Sequence, residues 1–232
     1  MQGLFRALAG RSPRLARPLS ADYTRPMSID VLGAIFNSPA RVKIMRLFMQ
    51  NPDAVLTPSI VASRSNVTPA SARKEINILA RAEFISRKKE RRSGKKPVEG
   101  WGMNPSFEYA DAFDNLLFGT EFIDLGELGK RFKRAGKVKL LILSGIFNHN
   151  PNARLDLLMV GDNLKRPVVD RTIRALEAEI GKELAYAVFD TSEFIYRASM
   201  YDKLIRDVID FPHERVISQG GLLEQIPHIS AQ

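Results

Sequence analysis

Apolar residues return at helical spacing in the first half of the chain and at alternating or continuous spacing in the second. Val42, Met45 and Phe48 form one stripe, and Ala72, Ile76 and Leu79 form another. Each suits a helix with one buried face. Helices are expected over 39–50, 58–64 and 69–82. Short apolar segments at Glu83–Ser86 and Pro97–Met103 read as a strand and its return. Phe107, Ala110, Phe113 and Leu117 give a further amphipathic helix, and 121–134 a weaker one, interrupted by Gly126 and Gly129. Beyond residue 136 the rhythm changes. Strands at 138–143, 154–160 and 184–189 alternate with helices at 167–180, 191–201 and 202–209. Such alternation is the mark of an α/β unit. The chain as a whole is expected to be α+β, with a small α/β unit in its second half.

Helix starts sharpen the first half. Ser38-Pro39, Thr57-Pro58 and Thr68-Pro69 each place a hydroxyl at the N-cap and proline at the first helical position. The hydroxyl accepts from an otherwise orphaned backbone N–H, and proline lacks the N–H that would be unpaired there. The pattern divides the chain into an N-terminal arm (1–27), a helical unit ending in the strand pair (28–104), a helical connector (105–135), the α/β unit (136–217) and a tail (218–232).

Composition changes this picture in three ways. The chain is 44% hydrophobic and 26% charged, an ordinary globular balance. No apolar run approaches the roughly 20 residues that span a bilayer, so no membrane partner is expected and the protein is read as cytoplasmic. There is no cysteine, which excludes disulfides, thiolate metal sites and cysteine nucleophiles. The net charge of +9 is unevenly spread: residues 1–104 hold 19 Lys/Arg against 7 Asp/Glu, and residues 105–232 hold 16 against 19. A polyanion is therefore the expected partner of the first half.

The third helix presents Ser71, Arg73, Lys74, Asn77 and Arg81 outward, with Thr68 at its cap. These side chains suit phosphates and base edges in a major groove. The strand pair that follows carries Arg87, Lys88, Lys89, Arg91, Arg92, Lys95 and Lys96 around Ser93-Gly94, a basic hairpin tip able to lie on a phosphate backbone. Short helix, tight turn (Ser65 to Thr68), basic helix and basic hairpin together resemble a winged helix-turn-helix domain of the broad bacterial transcriptional-regulator type. That resemblance implies double-stranded DNA as ligand and a homodimer reading two half-sites.

In the second half, a strand leads into Gly145-Ile146, and Arg154, Asp156 and Leu157–Asp162 follow. The order resembles the minimal nucleotidyltransferase domain related to DNA polymerase beta. In that family a Gly-Ser turn precedes a strand bearing Asp-x-Asp, whose two carboxylates face the same two magnesium ions. Here the first acid is Arg154, the turn lacks its serine, and the later strand 184–189 offers no third carboxylate. Gly145, Arg154 and Asp156 are thus read as a vestigial site. A guanidinium beside Asp156 is expected to repel a divalent cation and pair with the acid. The resemblance with these losses implies no enzyme, no cofactor and no metal, and a second unit used for dimerisation, sensing of a small molecule or docking of a protein partner. An active nucleotidyltransferase directed to nucleic acid and a toxin–antitoxin component are the alternatives.

Other chemistry is sparse. His149, His213 and His228 are far apart in sequence. Asp162, Asp170 and Asp190 read as surface or capping acids. Arg154, Lys165, Arg166 and Arg171 read either as a residual anion site or as ordinary surface charge. Residues 1–27, with five arginines and no acid before Asp22, fit a basic arm, a targeting segment or an early start.

Overall fold

The computed structural model describes residues 28–90, 97–119, 123–148, 150 and 153–223. The protein is mixed α+β. Helices α1 (Ser28–Ile35), α2 (Pro39–Met49), α3 (Pro58–Arg64) and α4 (Pro69–Arg81) precede an antiparallel pair, β1 (Ile85–Glu90) and β2 (Val98–Met103). All three Ser/Thr-Pro helix starts fall where the sequence places them. Ser38, Thr57 and Thr68 each accept a backbone N–H from the first turn of the following helix. Thr57 and Thr68 cap with local bonds alone, while the Ser38 hydroxyl also donates to Glu75 of α4. A first apolar core joins α1 to α4 with Leu56, Phe84, Ile85 and Met103. It is closed by α5 (Ala110–Phe118), whose Leu117 is buried in it.

The second unit begins with α6 (Leu125–Lys133) and β3 (Lys137–Leu143), then a 3₁₀ turn Gly145–Asn148. β4 (Leu157–Asp162), α7 (Arg166–Ile180), β5 (Tyr186–Phe189), α8 (Thr191–Ser199), α9 (Lys203–Ile209) and β6 (Glu214–Ser218) follow. The sheet order is β5-β4-β3-β6, with β4 and β5 parallel and the other pairs antiparallel. Leu141, Leu143, Leu157 and Met159 face α6 and α7, while Leu140, Ile142, Leu158 and Val160 face α8 and α9. The period-2 alternation of a strand therefore sends neighbouring residues into two different cores, which is why β3 and β4 read as continuous apolar runs.

Several boundaries differ from the sequence reading. β4 begins at Leu157, so Arg154 and Asp156 precede the strand and Asp162 closes it. Helix α5 starts at Ala110, after a turn at Asn104–Phe107. The strand β6 lies outside the elements the sequence predicts, and its last residue, Ser218, is where the tail was expected to start. Leu222 and Leu223 beyond it are each 3% exposed. Residues 1–27 and 224–232 lie outside the described residues. Among the described residues no helix is long and apolar enough to cross a membrane.

The two units meet where α2 packs on α7. Arg46 is 1% exposed, and its guanidinium donates to the carbonyls of Leu117 (2.8 and 3.0 Å) and Glu179 (2.9 Å). Burial pushes its pKa down to about 10, opposed by the nearby Glu179 carboxylate. Asn51 Nδ2 donates to the carbonyls of Leu47 (2.7 Å) and Gly181 (2.8 Å). Gly181 ends α7 in the left-handed region at φ 87°, where a side chain would strike the Arg46 backbone.

Candidate nucleic-acid interface

Helix α4 is held by its N-cap and by the plug before it. Thr68 Oγ1 accepts from the Ser71 N–H at 3.2 Å. The turn from α3 passes through Asn66 at φ 50°, and Val67 packs into the first core. α4 then buries Ala72, Glu75, Ile76 and Leu79 and exposes Arg73, Lys74, Asn77 and Arg81, with Ser71 half-buried.

The placement of Glu75 sets the electrostatics of this helix. It is the only acid of α4 and is 3% exposed. One carboxylate oxygen accepts from Ser38 Oγ and the other from Arg41 Nε, each at 2.8 Å. Ser38 thus works twice, capping α2 through the Arg41 N–H (3.1 Å) and holding Glu75. With its acid turned inward and neutralised, the outer face of α4 carries cations alone. The side chains of Arg73 and Lys74 have no ion pair or hydrogen bond among the described residues. Arg81 folds back on its own helix, donating to the Asn77 carbonyl at 3.3 Å. Sequence reading missed Glu75, although a carboxylate on the apolar stripe of Ala72, Ile76 and Leu79 was the available signal.

The strand pair stands beside this helix. Leu56 bridges to Trp101 through two backbone hydrogen bonds of 2.8 and 2.9 Å. Gly100 permits the approach, since a Cβ there would lie 2.7 Å from the Leu56 carbonyl oxygen. The basic residues at the root of the hairpin each have a partner. Arg87 lies over the Trp101 ring at 5.0 Å, Lys88 donates to the Pro52 carbonyl at 3.3 Å, and Lys89 pairs with Glu99 at 2.5 Å. The Lys89 bond and charge hold the Glu99 carboxyl below its usual range. Arg91, Arg92, Lys95 and Lys96 lie outside the described residues.

Gly145, Arg154 and Asp156 come together differently from the sequence expectation. Asp156 does not pair with Arg154. Its oxygens accept from the backbone N–H groups of Ile146 (2.8 Å) and Ala185 (2.9 Å), tying the turn after β3 to the approach of β5. Gly145, at φ 59°, leaves room for that carboxylate, which a side chain would overlap. Arg154 turns away to Asp207 of α9 at 2.7 Å. Because β4 starts only at Leu157, the two residues never acquire the common face that strand periodicity predicts.

Asp162, at the other end of β4, pairs with Lys139 at 2.8 Å and accepts from the Thr191 N–H at 3.2 Å. These bonds, Lys139 foremost, lower its pKa from 3.8 to about 2. Asp190 caps α8 through the Glu193 N–H at 2.7 Å, a bond that lowers its own pKa. Asp162 and Asp190 are therefore committed to helix and strand ends. Among the described residues no three His, Asp or Glu side chains gather to hold a metal ion. His213 accepts from Arg215 Nε at 3.1 Å, while His149 and His228 lie outside the described residues. Arg154 and the Lys165–Arg171 segment sit at opposite ends of β4, so the four cations suggested as one anion site are not brought together. Comparison with family models, with curated proteins and with solved structures gave no match to this chain.

Proposed function

We propose that this protein is a DNA-binding transcriptional regulator of winged helix-turn-helix type, acting in the cytoplasm, with α4 reading the major groove of a duplex. The observation that carries the reading is the withdrawal of Glu75 from the face of α4. It leaves Arg73 and Lys74 unpaired beside Asn77, a set able to contact phosphates and the edges of guanine or adenine. The hairpin β1–β2 adds a flanking contact to the backbone. The second unit is a nucleotidyltransferase-like domain without transfer activity, used for dimerisation, sensing or partner docking. Support for this part comes from Asp156, whose carboxylate bridges two backbone N–H groups, and from Arg154, which replaces an acid at the matching sequence position and pairs with Asp207.

Selection from a pool of random duplexes, at several salt concentrations, tests the proposal. Wild type is expected to enrich one sequence, and Lys74→Ala/Asn77→Ala to lose that enrichment while keeping salt-sensitive attraction to duplex. No enriched sequence, together with indifference to the double substitution, would sink it. Magnesium-dependent incorporation of labelled nucleotide, abolished by Asp156→Ala, would replace it with the transferase reading.

A further inference from the structure

Residues 105–232 hold more acids than bases, 19 against 16, yet one corner of the second unit is strongly basic. Lys133, Arg134, Lys137, Lys165 and Arg166 are all exposed there. The fold assembles them from two turns that touch. The Lys165 N–H donates to the Ala135 carbonyl at 2.7 Å, and Lys137 stands in register with Asp162. Gly136 makes the contact close, since a Cβ on it would lie 2.7 Å from the Asn163 carbonyl oxygen. Arg171 and Arg174 extend the charge along the exposed side of α7. None of these cations has an ion pair or side-chain hydrogen bond among the described residues.

Four acids of β4, α6 and α7 are engaged elsewhere. Asp162 binds Lys139, Glu179 binds Arg131, Glu127 binds Lys130, and Glu177 accepts from the Leu184 N–H. Asp170 is the remaining carboxylate of α7, half-buried. Like charges repel within a Debye length of about 8 Å, and gathering them at one corner works against the compact state. A bound polyanion would offset that repulsion.

Dimensions favour a chain of phosphates over a single anion. Arg166 to Arg174 spans about 12 Å of helix at about 1.5 Å per residue. One strand of a duplex presents a phosphate about every 3.4 Å of axis, so that span matches three or four in a row. Arginine forks suit phosphate oxygens in particular. Arg46, Asn51 and Gly181 fix α7 to α2, so the corner keeps a set position relative to α4.

From this we infer that the α6–β3 corner and the exposed side of α7 form a second phosphate-contacting surface for the duplex that α4 reads. The inference rests on the DNA-binding reading above. The test measures Kd of the full-length protein for its selected duplex between 50 and 300 mM salt, for wild type and for Arg166→Ala/Arg171→Ala/Arg174→Ala. Alanine keeps the helix. The log–log salt slope is expected to fall by roughly 2 to 3, at about 0.9 per phosphate contact, with sequence preference kept. Lysine at the three positions is expected to restore it. Lys133→Gln/Arg134→Gln/Lys137→Gln supplies an independent reading should the first variant fold poorly.

A slope within about 0.5 of wild type, in a protein that binds its duplex normally, overturns the inference and leaves the α4 reading standing. A slope change seen only on a hairpin RNA of equal length also overturns it, in favour of RNA. Wild type that binds no duplex even at the lowest salt removes the DNA-binding reading itself, and the inference with it.

Discussion

Asp156 shows how one side chain can hold two loops. Its oxygens take the backbone N–H groups of Ile146 and Ala185, donors with no other partner in their turns. Replacing it with alanine removes both bonds, the part-buried one to Ile146 and the exposed one to Ala185, at a cost of about 2 kcal/mol. Asp156→Asn keeps one acceptor and is expected to recover part of that. Urea unfolding of the two variants checks this, and an Asp156→Ala protein as stable as wild type would refute the bridging role. The sequence singled out Asp156 but placed it on the strand and assigned it the wrong neighbour. Arg154 is two residues away, and only a continuous strand would have put them on one face. The strand starts after both.

At the scale of elements, α2 and α7 define each other. The spacing of Val42, Met45 and Phe48 announced one buried stripe on α2. In the fold Ile44, Arg46 and Leu47 are buried as well, because α7 and the end of α5 cover the opposite side. Gly181 makes that packing close, its Cα hydrogen pointing where a Cβ would come within 2.5 Å of the Arg46 carbonyl carbon. Gly181→Ala is therefore expected to destabilise by about 3 kcal/mol, joining left-handed backbone strain to overpacking. Gly220 separates the two causes. It too has positive φ (71°), but nothing lies within 4 Å of its absent Cβ, so Gly220→Ala is expected to cost only about 1 kcal/mol. Equal losses at the two sites would show that strain alone acts and that the helix contact is soft.

For the molecule as a whole, the buried guanidinium of Arg46 ties three segments distant in sequence, α2, α5 and α7, into one joint. Opening that joint breaks the guanidinium bonds to the Leu117 and Glu179 carbonyls and exposes apolar surface from both units. A single calorimetric transition is thus expected for the described cores, with Arg46→Ala separating it into two. Two resolved peaks in the wild type would show that each core unfolds on its own. The joint also bears on function. A ligand or partner on the second unit would act on α4 through a fixed helix contact rather than through a slack linker.

The sequence by itself determined what depends on neighbours along the chain. Hydroxyl–proline pairs set three helix starts, the Ser65–Thr68 segment set the turn before α4, and continuous apolar runs marked β3 and β4. It also indicated the exposed face of α4, since helical periodicity alone turns Arg73, Lys74 and Asn77 away from Ala72, Ile76 and Leu79. Tertiary structure decided the rest. It turned Glu75 inward to Ser38 and Arg41, engaged the root of the basic hairpin, and recruited β6 to the sheet edge. It parted Arg154 from Asp156 and gathered Lys133, Arg134, Lys137, Lys165 and Arg166 at one corner. Each of these outcomes joins residues ten or more positions apart or depends on where a strand starts. Such choices are made by competition among burial, hydrogen bonding and charge across the whole fold, and no local window of sequence contains the competitors.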